Sequence, residues 1–238
     1  MDSFVFEKKF ADSRNQAKAL IMAGKVLVND EPCDKPGVLI NYDAKVIVKK
    51  SDNPFVSQGG LKLDNAFKKI PFCPKGLTCL DIGASTGGFT DCLIQNGALK
   101  AYAVDVGYGQ FDWTLRQNTK IKVIERTNIR YMPYETINEK VDLITIDTSF
   151  ISLKTIVLSA KKFMKEKTKI LALIKPQFEA GKENVGKGGI VRDPKIINQV
   201  IKDLKLFFKT NGYRTNKVVP CPVLDPKKNQ EYIIYLEY

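Results

Sequence analysis

The residues that suggest chemistry come first at an acid, a glycine turn and a second acid about twenty residues further on, the spacing used by nucleotide-binding sheet edges. Leu77–Ile82 is an apolar run that carries Asp81 and ends in Gly83-Ala84-Ser85-Thr86-Gly87-Gly88-Phe89, and a helical pattern starts from Gly87. Gly83, Gly87 and Gly88 let backbone approach a ligand that any Cβ would block. Ala101-Tyr-Ala-Val-Asp105 is a second short strand ending in an acid, and a carboxylate there can take both hydroxyls of a ribose. Val141–Asp147 ends in another acid, and Thr168–Lys175 ends in a lysine. Four strands therefore deliver Asp81, Asp105, Asp147 and Lys175 to one edge, where ligands bind in open sheets. The plainer reading of the glycine stretch alone is a buried strand with a tight turn.

The elements that must position these residues alternate. Helix 88–96, strand 101–105, helix 110–116, strand 121–125, strand 141–147, helix 152–164 and strand 168–175 follow the glycine turn in order. That alternation predicts an α/β fold with a doubly wound, mainly parallel sheet. A helix over 194–210 and an alternating terminal strand, Gln230–Leu236 with Glu231 near its start, complete it. Before the sheet stands a compact unit, residues 1–50. Ser13 is placed to cap a helix whose Ala17, Leu20 and Ile21 share one face. Gly24 ends that helix; Val26–Val28 and Ala44–Val48 are strands, with a turn at Asn29-Asp30. The polar stretch Lys49–Pro54 is the joint, giving units 1–50 and 57–238 with 51–56 as linker.

Composition narrows the chemistry. The chain has 238 residues, a net charge of +12 and no histidine. Serine–histidine and cysteine–histidine catalysis and histidine-ligated zinc are thereby excluded. Five cysteines without a C-x-x-C read as reduced thiols, and no metal is expected. The start is not a signal peptide and no run approaches a membrane span, so a soluble cytoplasmic protein is expected, with no membrane association indicated. Most of the positive excess falls after residue 160, which suits a polyanion such as nucleic acid; a lysine-rich background is the alternative. Gly181–Gly189 contains G-x-x-x-x-G-K, but Gly188 stands where a phosphate loop needs Ser or Thr for magnesium. A basic loop touching RNA phosphates, or a plain flexible loop, is expected there instead.

Resemblances sharpen this. The dinucleotide fingerprint is absent, because Ser85 stands two residues after Gly83. The turn D-x-G-x-x-x-G-G with an acid ending the next strand resembles motif I of the S-adenosylmethionine (AdoMet) methyltransferases. Ser13-Arg14-x-x-Ala17-Lys18-x-Leu20-Ile21-x-x-Gly24-x-Val26-x-Val28-Asn29 resembles the small RNA-binding domain named for ribosomal protein S-four, without its usual basic opening. Lys62, Asp147, Lys175 and Glu231 form a K-D-K-E set spaced as in the FtsJ-type ribose 2'-O-methyltransferases. Taken together, D-I-G-A-S-T-G-G-F-T, V-G-Y-G-Q, E-R-T-N, D-x-S-F-I-S-L, K-P-Q-F-E-x-G-K and N-x-E-Y resemble the haemolysin A (TlyA) family over nearly all of residues 13–238. Gln58 departs from it, where relatives commonly have arginine.

The resemblance implies a Rossmann-like AdoMet-dependent methyltransferase domain behind a small α+β RNA-binding domain. It implies 2'-O-methylation of a cytidine in ribosomal RNA, with ribosomal RNA or ribosomal subunits as partner. Lys62, Asp147, Lys175 and Glu231 would be catalytic. Lys175, if neutral, would take the hydroxyl proton; Lys62 would lower its pKa, and Asp147 and Glu231 would raise it and orient it. AdoMet would be held by Ser57 and Gly60 before the first helix of the domain, and by Asp81, Gly83, Ala84, Ser85, Gly87, Gly88 and Phe89 of motif I. Asp105 and Asn128 would complete that set. A lysine just inside a helix start, as Lys62 is, suits a bound anion such as the AdoMet carboxylate; a plain surface lysine is the alternative. RNA would be met by Arg14, Lys18, Lys25, Lys182 and Lys187. The other classes of function are a membrane-lytic haemolysin, after the family name, and an RNA-binding protein with an inactive methyltransferase fold.

Overall fold

The structure is a computed structural model that describes all residues except 12–13, 23, 49–52, 224 and 226–227, and all described side chains except that of Ala19. The expected cap Ser13 and residues 49–52 of the expected joint lie outside the described residues. Two compact units divide the chain, Met1–Pro54 and Phe55–Tyr238. Phe55 and Val56, expected in the linker, belong to the second unit. Phe55 is buried against Gly60, and the Val56 N–H donates to Asp91 Oδ2 at 2.9 Å.

In the first unit, helices α1 (Asp2–Glu7) and α2 (Arg14–Met22) cover a small sheet of β1 (Val26–Val28), β2 (Glu31–Cys33) and β3 (Val46–Val48), ordered β2-β1-β3. Its core is Met1, Val5, Ala11, Ala17, Ile21 and Val26. Asn29 and Asp30 turn β1 into β2 with φ of 50° and 70°, conformations asparagine and aspartate tolerate best among non-glycine residues. Neither α1 nor β2 is readable from the sequence. The first is one and a half turns long, and the second, Glu-Pro-Cys, is mostly exposed and has no apolar alternation.

The second unit opens with α3 (Gln58–Lys69) and alternates through β4 (Thr78–Ile82), α4 (Gly88–Gln95), β5 (Lys100–Val104), α5 (Trp113–Arg116), β6 (Ile121–Ile124), β7 (Val141–Ile146), α6 (Leu153–Ser159), β8 (Met164–Ile174), α7 (Pro176–Glu179) and α8 (Pro194–Thr210), ending in β9 (Arg214–Pro220) and β10 (Tyr232–Glu237). The seven strands are ordered β6-β5-β4-β7-β8-β10-β9. Five are parallel; β10 runs antiparallel to both β8 and β9. Three details differ from the sequence reading. The helix expected to reach Met164 stops at Ser159 and passes through a 3-10 turn, and β8 already starts at Met164. Lys167, at φ 67°, and Thr168 Oγ1, which donates to the Val141 carbonyl, break the pairing there, hiding the strand's polar beginning from periodicity. The helix expected from Gln110 begins only at Trp113, capped by Asp112. Strand β9 has no sequence signature because it lies at the sheet's edge, mostly exposed.

Strand residues alternate between faces. Leu80, Ile82, Ile144, Ile146, Ile170 and Ala172 face one core, with Val200, Leu204 and Phe208 of α8. Cys79, Leu143, Leu171, Leu173 and Ile233 face the other, with Leu63 and Ala66 of α3 and Phe89 and Leu93 of α4. The same period of two carries Leu143 on to Asp147, Leu173 to Lys175, and Ile233 back to Glu231. All three thus emerge on the face covered by α3, the helix that bears Lys62.

Candidate active site

Gly83 makes the edge possible. Its φ is +82°, and a Cβ would run into the Asp147 carbonyl. The Gly83 N–H donates to the Val104 carbonyl at 2.9 Å, and the Asp147 N–H to the Ile82 carbonyl at 2.9 Å. Ala103 pairs with Asp81, and Asp81 with Thr145, so Asp105 and Asp147 leave their strands level with Gly83, one on either side. Asp81 sits two residues deeper, about one 6.6 Å pleat repeat.

That depth changes the chemistry of Asp81. It has no exposed surface, and its two oxygens accept from Thr90 Oγ1 at 2.6 Å and Thr145 Oγ1 at 2.8 Å. Burial pushes its carboxyl up to about 7, against the two hydroxyl bonds that hold it down. Asp81 therefore braces α4 and β7 behind the turn instead of facing a ligand. Two expected ligand-facing glycines are also structural. Gly87, at φ +98°, packs against Phe111 and Leu115, while Gly60 packs against Phe55. A Cβ at Gly88 would lie 2.9 Å from Gly60 N, so Gly60 and Gly88 let α3 and α4 cross closely. Asp105 accepts from the Ser85 N–H and the Gly107 N–H, each at 2.7 Å, and so fixes the glycine turn. Asn128 Oδ1 accepts from the Arg130 backbone at 3.1 Å and closes a local turn.

A cleft of about 190 Å³ remains, lined by Ser57, Gly59, Gly83, Ala84, Ser85, Thr86, Gly88, Phe89, Asp147, Ser149 and Lys175. It brings the expected Ser57, Gly83, Ala84, Ser85, Gly88 and Phe89 together with two members of the lysine–acid set. Lys175 Nζ lies 2.6 Å from Asp147 Oδ1 and donates to Ser149 Oγ at 2.9 Å. The Asp147 contact is an ion pair without hydrogen-bond alignment. Lys62 Nζ lies 2.5 Å from Glu231 Oε2, both side chains being about four-fifths buried. Burial works to lower the pKa of Lys62, but the charges of Asp147 and Glu231 outweigh it and hold Lys62 above the ordinary lysine value. The lysine that looks misplaced at a helix start thus has an acid from the far end of the chain as its partner. Tyr232 pairs with Ile174, which puts Glu231 and Lys175 immediately past the same rung.

The segment after β7 is locked to the segment after β8 at three successive points. Lys175 meets Asp147 and Ser149. The Phe178 ring lies 4.9 Å from that of Phe150. Glu179 accepts from Ser152 Oγ at 2.8 Å and from the Leu153 N–H at 2.7 Å, capping α6. Phe150 is 90% exposed with φ at 63°, a strained conformation for a bulky side chain that favours a functional reading. Ser149 and Phe150 both belong to D-x-S-F-I-S-L, but nothing in residue type separates them from their neighbours; exposure and φ do.

The expected RNA contacts divide. Arg14 and Lys18 converge on Asp2, at 3.0 and 3.9 Å, and Lys25 is half-buried. Lys182 and Lys187 are exposed. The loop they stand on is built: Gly186 and Ile190 form a β-bridge, and the Asn229 side chain is bonded to it at two points. Among the described residues no cluster of three or more Cys, Asp or Glu is placed to hold a metal, and no helix is long and apolar enough to cross a membrane.

A Rossmann-like sheet with its glycine turn, two strand-end acids and paired lysines defines the methyltransferase class of α/β proteins. The chain matches the model of the FtsJ-like methyltransferases over residues 55–238 and that of the S4 domain over residues 2–41. It belongs to the FtsJ-like methyltransferase family and, within it, to the TlyA group. It is 44% identical to YqxC of Bacillus subtilis over 100% of this chain and 85% of that protein. It is 38% identical to the 16S/23S rRNA (cytidine-2'-O)-methyltransferase TlyA of Mycobacterium tuberculosis, over 99% of this chain and 88% of the relative. A solved hemolysin-type protein of Streptococcus thermophilus superposes with a TM-score of 0.77 at 37% identity, covering 99% and 86% of the two chains.

Proposed function

We propose that this protein transfers the methyl group of AdoMet to the 2'-hydroxyl of a cytidine in ribosomal RNA, its S4 domain contributing to the grip on folded RNA. The observation that carries this reading is the pair of lysine–acid contacts, Lys175–Asp147 and Lys62–Glu231, beside a glycine-walled cleft. The activity of the Mycobacterium tuberculosis relative supports this choice of substrate.

The residues present fit AdoMet. Gly83, Gly59 and Gly88 leave backbone bare along the cleft, and its volume suits one end of an elongated ligand. The methionine end would lie there, and the ribose would reach Asp105, outside the cleft lining. AdoMet supplies an electrophilic methyl group. The chain's own residues must then align the hydroxyl and remove its proton. Alignment of the kind such a site imposes is worth roughly 7–11 kcal/mol. Lys62, held charged by Asp147 and Glu231, is a fixed cation. Lys175 is the lysine on the cleft wall; having first released its own ammonium proton to solvent, it takes the hydroxyl proton while Asp147 and Ser149 orient it. Phe150, exposed and next in the chain to the cleft-lining Ser149, offers a face on which the target base can stack.

The test is ribose-methylation mapping of ribosomal RNA from cells with and without this protein. One or more cytidine 2'-O-methyl groups should vanish with it and return on complementation. An unchanged map would reject the reading.

A further inference from the structure

Asn229 stands two residues before Glu231, and neither end of its side-chain amide is idle. Its Oδ1 accepts from the Val191 N–H at 2.8 Å, and its Nδ2 donates to the Gly189 carbonyl at 2.8 Å. The segment it grips is the glycine-rich stretch with exposed Lys187. Gly186 and Ile190 close that stretch through a 3.0 Å backbone bond, with Gly188 and Gly189 at φ of 78° and 75°. On the other side, the Asn229–Glu231 stretch is itself fixed. Gln230 Nε2 donates to the Cys221 carbonyl at 3.0 Å, and the Cys221 N–H donates to the Glu231 carbonyl at 2.9 Å. Glu231 then reaches Lys62.

We propose that Asn229 is a positioning residue that holds the basic loop 186–191 in register with the Glu231–Lys62 pair, so that the loop's phosphate contacts set the RNA relative to the reacting centre. The proposal rests on the RNA-methyltransferase reading above. Only a side chain that donates and accepts at once satisfies both loop positions. Aspartate would keep the Val191 bond but set a carboxylate against the Gly189 carbonyl.

The experiment uses the full-length chain and the variants Asn229→Ala, Asn229→Asp, Lys187→Ala and Asn229→Ala/Lys187→Ala, with ribosomal RNA and AdoMet. In the protein alone, hydrogen exchange at the Val191 amide should quicken at least about tenfold in Asn229→Ala, the size expected for one lost hydrogen bond. The KM for RNA should rise about tenfold while kcat stays within about threefold, the mark of lost uniform binding. AdoMet affinity should be unchanged, which also reports an intact fold, and Asn229→Asp should raise the KM for RNA as Asn229→Ala does while leaving the Val191 amide protected. Lys187→Ala should raise KM in the wild-type background and add little in the Asn229→Ala background, because coupled residues are not additive. Unchanged exchange in Asn229→Ala, or full additivity of the two substitutions, would overturn the proposal. If the wild type methylates no RNA, the functional reading fails, while the exchange measurement still decides whether Asn229 holds the loop.

Discussion

Four acids stand at or near this sheet edge, two on the glycine side of the cleft and two on the lysine side, and they are spent differently. Asp81 and Asp105 are bonded inward, to threonine hydroxyls and to loop amides respectively. Asp147 and Glu231 are paired with lysines. Residue type does not account for the split, since three of the four are aspartates at similar strand positions. Register does. Asp81 lies one pleat below the rim and reaches only protein, whereas Asp105 and Asp147 flank Gly83 at the rim itself. The partner across the rim then decides the rest: backbone N–H groups beside Asp105, an ammonium beside Asp147. An acid facing amides builds a loop; an acid facing a lysine builds a charge pair.

If the lysine side carries the chemistry, the largest effect of any single change should fall there. Lys175→Ala should lower methylation at least about a hundredfold, the usual range for a lost acid–base group. The fold should be kept, because the apolar residues of β8 are untouched, and AdoMet affinity should fall far less than turnover. Lys175→Arg should not rescue turnover, since a guanidinium does not shed its proton. Arginine restoring near-normal rates would make Lys175 a fixed charge like Lys62 and erase the difference between the two pairs.

On the glycine side the expected effect is in binding. Asp105→Ala removes the acceptor for two loop amides and for the expected ribose, and should weaken AdoMet by about 1–3 kcal/mol through lost charged hydrogen bonds. Turnover at saturating AdoMet should fall far less than in Lys175→Ala. Calorimetry that finds wild-type affinity in Asp105→Ala would separate Asp105 from the cofactor.

The parallel sheet was legible because its strands are buried on both faces and read as apolar runs, and α8 was legible because its amphipathic face and proline start leave little choice. The elements that escaped, α1, β2, α7 and β9, are short or exposed, so burial leaves no pattern in them. At the site, the lysine–acid set stood out by placing rare polar residues at the ends of apolar strands. The split between Asp81 and Asp105 did not, because it depends on which strand residues pair and how deep each sits. Ser149 and Asn229 were hidden for a related reason: their partners are 26 and 38 residues away, joined only by the fold.

The smallest expected effect on catalysis is the one that isolates the inward acids. Asp81→Asn keeps an oxygen acceptor and adds a donor for the threonine hydroxyls, so the fold should persist. It removes a titrating group whose carboxyl is raised from the ordinary 3.8 to about 7 in the folded chain. Between those values the native protein holds a proton that the unfolded chain has released. The contribution of Asp81 to stability is therefore fully present below the lower value, declines as pH rises through the window, and is flat above about 7. Other carboxylates titrate in the same range, so the quantity to measure is the difference in unfolding free energy between wild type and Asp81→Asn at a series of pH values. That difference should shift towards the asparagine variant as pH rises to about 7 and then stop changing, while turnover at pH 8 stays within about threefold of wild type, as expected of a group outside the reacting shell. A loss of AdoMet binding in Asp81→Asn as large as that in Asp105→Ala would place Asp81 on the cleft after all, and the depth of one pleat would no longer divide the acids of this edge.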